Sequence, residues 1–276
     1  MIFHKYEGLG NDFIVLEDFD GRAPKDPAFA RRWCDRRFGV GADGILYLGK
    51  AVGADAAMKV LNSDGSEAEM CGNGIRCVAK HLYDFGFVKR KKMTIDTLAG
   101  KKRIDCTVRD GQVVDVKVGM GAPNLECTSI PMKCEDRFVD RAIEVDGVKL
   151  KGTAVSMGNP HFVIFQSTSR PERQRLGPLL EKHKLFPQKT NVEFASVQDG
   201  RIEVEVFERG AGWTMACGTG ACATAVAAVL NQLVPANQEV EVLLPGGSLW
   251  IKVTEDLSAV SMRGPAMRVF RGELEA

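Results

Sequence analysis

One stretch of sequence occurs twice in this chain of 276 residues, and each copy is a cysteine followed by Gly-x-Gly and an apolar run. The copies are MCGNGIRCVA from position 70 and ACGTGACATA from position 216. After Cys71, apolar residues through Leu82 recur at the spacing of one helix face, and Gly86 is placed to end that helix. The run after Cys217 is apolar on nearly every side, which is typical of a helix surrounded by its own domain. Each cysteine is therefore predicted to lie at a helix N-terminus.

Other landmarks repeat in the same order. Gly10-Asn11 before an apolar segment is matched by Gly158-Asn159, and Met120-Gly121-Ala122-Pro123 is matched by Met262-Arg263-Gly264-Pro265. The copies are offset by about 142 to 148 residues, which indicates a duplication. We therefore predict two similar domains, each a strand-rich sheet rolled around one central helix. The active site is expected in the cleft between them.

Composition excludes several classes of protein. A net charge of +1 lacks the basic excess of a nucleic-acid-binding chain, and 45% apolar residues argue against disorder. The N-terminus lacks the apolar core of a signal peptide, and no stretch approaches the ~20 apolar residues of a membrane span. We predict a cytoplasmic protein that binds neither nucleic acid nor membrane.

The eight cysteines are scattered and include no C-x-x-C motif. In a chain that is not exported, they are not expected to form a disulfide framework. With only four histidines, no cysteine/histidine metal site is predicted either. The cysteines other than Cys71 and Cys217, including Cys77 and Cys222, are predicted to be core residues. No cofactor motif is present, so no cofactor is expected.

A cysteine at a helix N-terminus has chemical consequences. The first backbone amides of a helix have no internal partner, and the helix dipole adds positive potential that lowers the pKa of a thiol from about 8.5. Neighbouring glycines let a carboxylate approach the bare amides. Two such elements, one in each half of the chain, are suited to hold one small acid between two sulfurs. The alternative is that each cysteine is simply a small buried apolar residue.

The motifs together resemble diaminopimelate epimerase. They match that family in order and over nearly the whole chain. The matching segments are Gly8-Leu9-Gly10-Asn11-Asp12-Phe13, Asn62 with Asp64-Gly65-Ser66, residues 70–77, Met157-Gly158-Asn159-Pro160-His161, Thr190-Asn191, residues 208–212, residues 216–221 and Gly264-Pro265-Ala266. The resemblance implies a cofactor-independent epimerase of lysine and cell-wall precursor synthesis. Its substrate would be the small molecule 2,6-diaminopimelate, interconverted between the LL and meso forms.

The resemblance also implies an architecture. The family is homodimeric and folds as two pseudo-symmetric β-barrel-like domains, each wrapped around a central helix, an α+β fold. Applied to this chain, it predicts an N-terminal domain over residues 1–118, to which residues 264–276 return, and a C-terminal domain over residues 119–263.

Inverting a stereocentre requires a base on one face of the α-carbon and an acid on the other. Without pyridoxal phosphate, hydrogen-bond donors must hold the negative charge on the carboxylate. By resemblance, Cys217 takes the proton from the LL substrate and Cys71 donates one. His161 and Glu208 are predicted to tune the two thiols.

The predicted substrate-binding residues fall into three groups. The first supplies backbone amides to the reacting carboxylate, the second binds the distal amino-acid group through charge, and the third binds polar ends of the substrate. The backbone-amide group comprises Gly72, Asn73, Gly218 and Thr219. The charged group comprises Glu208 and Arg209. The third group comprises Asn11, Asn62, Asn159 and Asn191. The alternative for each asparagine is a turn residue bonding its own backbone. Many relatives carry glutamine where Gly44 stands, so Gly44 is left out of the site.

Three other functions are alternatives to a diaminopimelate epimerase. A proline or hydroxyproline racemase also uses paired cysteines, but a substrate of proline size needs no second head-group site such as Arg209. A phenazine-synthesis isomerase shares the fold, but its relatives lack the cysteine pair. A non-catalytic amino-acid binding protein has no need of two thiols.

Overall fold

The computed structural model describes residues 1–275. The chain divides into two compact units. The first unit comprises Met1–Gly119 together with the chain from Arg263 onwards, and the second comprises Met120–Met262. No helix among the described residues combines the length and apolar character needed to cross a membrane.

Most elements of the chain are strands, and helices lie between groups of them. The elements up to residue 121 are β1 (Ile2–Gly8), β2 (Asn11–Glu17), α1 (Pro27–Cys34), β3 (Gly44–Gly49), β4 (Ala56–Asn62), β5 (Glu67–Ala68), α2 (Gly72–Asp84), β6 (Lys92–Asp96), β7 (Lys102–Arg109) and β8 (Gln112–Gly121). They are followed by β9 (Arg141–Val145), β10 (Val148–Ser156), β11 (Pro160–Ile164), α3 (Arg170–Glu181), β12 (Asn191–Gln198), β13 (Arg201–Glu208), β14 (Gly212–Thr214), α4 (Gly218–Leu230), β15 (Glu239–Leu244), β16 (Gly247–Val253), β17 (Val260–Gly264) and β18 (Met267–Glu273).

The two units repeat one pattern of strand pairing. In the first unit, β1–β2 is antiparallel, β2–β3 parallel, β3–β4 antiparallel, β4–β6 parallel and β6–β7 antiparallel. In the second, β10–β11, β11–β12, β12–β13, β13–β15 and β15–β16 follow the same series. The short strands β5 and β14 pair with β4 and β13, both antiparallel. The duplication inferred from sequence is therefore present in the topology.

Each unit has one helix surrounded by its strands. Helix α2 contacts β1, β2, β3, β6, β7 and β18, while α4 contacts β10 to β13, β15 and β16. Every residue from Gly72 to Leu82 is buried. Gly86, with a φ of 75°, donates its N–H to the Tyr83 carbonyl (3.0 Å) and ends α2 as predicted. The predicted α+β fold class is confirmed.

One prediction about the cysteines is wrong. Cys127 and Cys134 form a disulfide with a Cα–Cα separation of 5.8 Å. The chain doubles back after residue 127, because the Cys127 N–H donates to the Asp136 carbonyl (2.8 Å), and this reversal brings Cys134 to its partner. Such a reversal leaves no mark in cysteine spacing.

The cysteines outside that disulfide and outside the two helix N-termini are buried, as predicted. They are Cys34, Cys77, Cys106 and Cys222. Burial raises the pKa of Cys34 and Cys106 to about 12 and raises the pKa of Cys77 as well. Since the thiolate is the reactive form, the thiols of Cys34, Cys77 and Cys106 are unreactive near neutral pH.

Candidate active site

The first unit holds Cys71 as the N-cap of α2. The Cys71 backbone is extended (φ −129°, ψ 115°), and Sγ accepts a hydrogen bond from the Gly74 N–H (3.3 Å). A Cβ at Gly74 would lie 2.9 Å from a Leu46 methyl group and 3.3 Å from Cys71 Cβ. A larger residue at Gly74 would therefore have to displace the Leu46 side chain beside the sulfur.

Asn11 connects the thiol to the helix and to a carboxylate. Its Oδ1 accepts from the Asn73 side-chain amide (3.1 Å) and lies 3.8 Å from Cys71 Sγ, where the thiol is the donor. Its Nδ2 donates to Asp43 Oδ2 (2.7 Å), and Arg36 pairs with the same aspartate (2.7 Å). Asp43 therefore orients the amide so that an acceptor faces the thiol. Sequence reasoning singled out Asn11 but missed Asp43.

Arg76 lies in the motif at residues 70–77 but was not predicted as a site residue. It is fully buried and donates to Asn73 Oδ1 (3.0 Å), the Gly72 carbonyl (3.1 Å) and the Pro265 carbonyl (3.0 Å). It therefore ties the first turn of α2 to the Gly264-Pro265-Ala266 motif. A lone arginine inside an apolar helix was the signal that could have revealed it.

Asn62 is exposed, and its side-chain amide donates to Ser66 Oγ (2.9 Å), a bond within its own loop. This bond is local but goes to a side chain, so it is not the bond to its own backbone that the alternative describes. The substrate contact of Asn62 stays a prediction. Across the β3–β4 pair lies Gly44, where a Cβ would approach the Leu61 carbonyl oxygen to 2.6 Å. The local backbone therefore leaves no room for a side chain at Gly44.

The second unit repeats the helix N-terminus. Cys217 is the N-cap of α4 with nearly the same backbone as Cys71 (φ −124°, ψ 110°), and Sγ accepts from the Gly220 N–H (3.4 Å). A Cβ at Gly220 would lie 3.0 Å from Glu193 Oε1 and 3.2 Å from Cys217 Sγ. The glycine thus separates the thiol from a carboxylate that sequence reasoning did not single out.

A chain of hydrogen bonds connects that carboxylate to Cys217. Glu193 Oε1 lies 2.6 Å from His161 Nδ1, and His161 Nε2 lies 2.9 Å from Asn159 Oδ1. The Asn159 amide donates to Thr219 Oγ1 (3.4 Å), which lies 3.5 Å from Cys217 Sγ. Glu193 and His161 are both fully buried. A glutamate inside the buried strand β12 was the sequence signal for this pair, because a buried carboxylate needs a partner.

The electrostatics of Cys217 correct one expectation. The pKa of its thiol is raised well above the usual range, first by burial and then by the negative charges of Glu208 and Glu193. Hydrogen bonds from Thr219 and Gly220 lower it, as expected at a helix N-terminus, but by less. Burial also raises the pKa of Glu193. In this arrangement Cys217 is a protonated thiol at neutral pH.

The remaining predicted residues lie where β12 begins and β13 ends. Asn191 donates to the Pro160 carbonyl (2.7 Å) and accepts from the Arg209 N–H (2.9 Å), so both ends of its amide support the local backbone. Glu208 accepts from the Thr214 hydroxyl (2.6 Å). The Arg209 side chain is exposed and donates to the Gln188 carbonyl (3.3 Å).

The first unit thus brings together Asn11, Cys71 and Asn73, and the second links Asn159, His161, Thr219 and Cys217. The profile of the family described as Diaminopimelate epimerase matches residues 3–126 and 153–269, which include all of these residues. The chain belongs to the diaminopimelate epimerase family.

Relatives named diaminopimelate epimerase are similar over almost their entire length. The protein from Desulfitobacterium hafniense is 48% identical, with 98% of this chain and 96% of that protein covered. The one from Pelotomaculum thermopropionicum is 49% identical, with 99% and 98% covered. This membership makes the chain an isomerase of the epimerase class.

Solved structures support the fold at lower identity. A probable proline racemase from Agrobacterium radiobacter has a TM-score of 0.74 at 17% identity, with 99% of this chain and 92% of that chain covered. A PhzF-family phenazine biosynthesis protein from Bacillus anthracis has a TM-score of 0.70 at 15% identity, with 100% and 99% covered. At such identities the likeness shows the fold of this chain and not its substrate.

Proposed function

We propose that the chain interconverts LL- and meso-2,6-diaminopimelate by a two-base mechanism that uses Cys71 and Cys217. The observation that carries the proposal is the pair of equivalent N-cap cysteines, one on the central helix of each unit and both with the same backbone conformation. Family membership and near-full-length relatives of that name support the substrate.

The reaction balances as two proton transfers. From the LL substrate, the Cys217 thiolate takes the α-proton, and the Cys71 thiol gives its proton to the opposite face of the carbon. The enzyme is left with a Cys217 thiol and a Cys71 thiolate, which is the form that acts on the meso isomer. Because the pKa of Cys217 is raised, its thiolate is a strong base once formed, as a weakly acidic α-proton requires.

Two further groups complete the mechanism. The amides of Gly72, Asn73, Gly218 and Thr219 are proposed to hold the reacting carboxylate, where negative charge develops. The buried His161–Glu193 pair is proposed to set the protonation of Cys217 through Asn159 and Thr219. Glu193 acts through other residues and is therefore a positioning residue.

The experiment that tests the function is epimerisation in deuterated water. With LL-diaminopimelate and no added cofactor, we expect meso product that carries one deuterium at the inverted α-carbon, measured by NMR and mass spectrometry. L-Proline and trans-4-hydroxy-L-proline serve as comparison substrates. Deuterium in either of these, and none in diaminopimelate, would contradict the proposal in favour of a racemase of the same fold.

The distal amino-acid group is proposed to bind Glu208 and Arg209. A charge-assisted bond to a carboxylate contributes roughly 1.5–3 kcal/mol, so we expect Arg209→Ala to lower kcat/KM for diaminopimelate by about ten- to a hundredfold. Steady-state kinetics measure this. The control is Arg201→Ala at the other end of β13, where the exposed guanidinium pairs with Glu203 (2.7 Å). Equal losses in both variants would remove Arg209 from the substrate site.

A cytoplasmic location and a homodimer are also proposed. The exposed apolar side chains of Met267, Val269 and Phe270 on β18 support the dimer, since exposed apolar patches often mark interfaces. Sedimentation velocity of the full chain measures its oligomeric state, and a monomer at micromolar concentration would contradict the dimer.

A further inference from the structure

Two histidines and a glutamate converge in the first unit, away from Cys71. His4 lies on β1, Glu17 ends β2 and His81 lies in the last turn of α2. The antiparallel register places His4 opposite Val15, so the side chain of Glu17, two residues further on, emerges on the same face of the sheet as His4. Ten residues separate His81 from Cys71, which is about 15 Å along the helix.

The ligand atoms of this cluster have the spacing of a metal site. His81 Nε2 lies 2.9 Å from Glu17 Oε1, and His4 Nε2 lies 3.6 Å from the same oxygen. All three residues offer ligand atoms within 4.8 Å of one another. Nitrogen and oxygen ligands at 2.0–2.1 Å from a tetrahedral Zn²⁺ are about 3.3–3.4 Å apart, a value between the two observed distances.

The surroundings of the histidines also suit metal binding by their imidazoles. Tyr6 Oη lies 3.1 Å from His81 Nδ1, the supporting bond that fixes a metal-ligating imidazole with Nε2 towards the ion. His4 is only 3% exposed, and its Nδ1 has no hydrogen-bond partner in the part of the chain that the structure describes. The atom that faces the carboxylate is Nε2. It lies 3.6 Å from Glu17 Oε1, beyond ordinary hydrogen-bond distance, so an ion between the two would give this buried imidazole a partner. Phe85 packs against both imidazole rings, with centroids 4.7 and 4.5 Å away.

We propose that His4, Glu17 and His81 bind a divalent transition-metal ion, for which Zn²⁺ is the best match. Two imidazoles and one carboxylate favour zinc over magnesium or calcium, which prefer oxygen ligands alone. The ion would link β1 and β2 to the end of α2 opposite the catalytic cysteine, and its role is therefore structural. No metal site is predicted from the sequence, because the four histidines are scattered and residues 4, 17 and 81 form no motif.

Zinc titration of the purified full chain, by calorimetry and by elemental analysis after dialysis at pH 7.5, tests the site. We expect one equivalent in the wild type and a rise in Tm. Glu17→Gln, at a partly exposed side chain whose change leaves the core intact, should weaken binding by more than about 100-fold, the upper end of what losing a supporting residue costs. His81→Asn should do the same. His183→Asn, in the second unit, is the matched control and should bind as the wild type does.

The catalytic thiols are the competing ligands, and Co²⁺ distinguishes them. Thiolate ligation produces an intense sulfur-to-metal charge-transfer band, whereas ligation by imidazole and carboxylate does not. Zinc binding that persists unchanged in Glu17→Gln and His81→Asn, a Co²⁺ spectrum with the thiolate band, or no bound zinc at micromolar concentrations would each overturn the proposal.

Discussion

Replacement of Cys217 by alanine is expected to lower kcat for epimerisation of LL-diaminopimelate by about 10²–10⁴-fold, the contribution of a positioned acid or base, with little change in the fold. Alanine leaves no proton acceptor in place of Cys217 Sγ, which hydrogen-bonds to Thr219 Oγ1 (3.5 Å) and to the Gly220 N–H (3.4 Å). Proton NMR in deuterated water measures inversion and exchange separately. In the proposed mechanism, both are lost together when the substrate is LL.

Cys222→Ala is the matched control, because it removes a buried thiol from the same helix. It should cost about 1 kcal/mol of stability, typical of a point substitution, and retain activity. Cys71→Ala should differ from both, since Cys217 can still remove the α-proton of the LL isomer and return a deuteron to the same face. Exchange without inversion in Cys71→Ala would support the assignment. Inversion that survives in Cys217→Ala would show that another group is the base.

The repeat explains why so much of the fold could be predicted. Cys-Gly-x-Gly followed by an apolar run encodes local structure: a capping side chain, small residues where the backbone is crowded, and a helix that must be enclosed. Cys71 and Cys217 consequently share φ and ψ to within a few degrees, and Gly86 ends α2 as its position suggested. Features encoded within a few residues were accessible from sequence.

Features that depend on residues far apart in the chain were missed. Glu193 lies 32 residues from His161, Asp43 lies 32 from Asn11, and His81 lies 64 from Glu17. Pairing brings them together, as in the parallel register that places His161 beside Asn191 on the neighbouring strand. The prediction that the pKa of Cys217 is lowered was wrong for the same reason. The helix terminus is local, whereas the burial and the carboxylates that outweigh it come from the rest of the unit.

Glu193→Gln is expected to lower kcat by up to about 10⁴-fold, the loss known for replacing the carboxylate that supports a catalytic imidazole by an amide. Glutamine keeps the shape of the side chain but can neither carry charge nor share a proton with His161. KM for diaminopimelate should change much less, because Glu193 is fully buried and is not proposed to touch the substrate. Steady-state kinetics separate the two effects.

The same substitution should change the acidity of Cys217 in a defined direction. The negative charge of Glu193 helps to raise the pKa of that thiol, so its removal stabilises the thiolate and lowers the pKa. Alkylation of the Cys217 peptide by iodoacetamide, followed across pH by mass spectrometry, should therefore begin at lower pH in Glu193→Gln than in the wild type. Glu205→Gln on the neighbouring strand β13, where the carboxylate pairs with Arg173 (2.9 Å), is the control and should leave the profile unchanged. A purely structural role for Glu193 makes a different prediction: the variant would lose stability, while the folded fraction would keep the wild-type kcat and the wild-type alkylation profile.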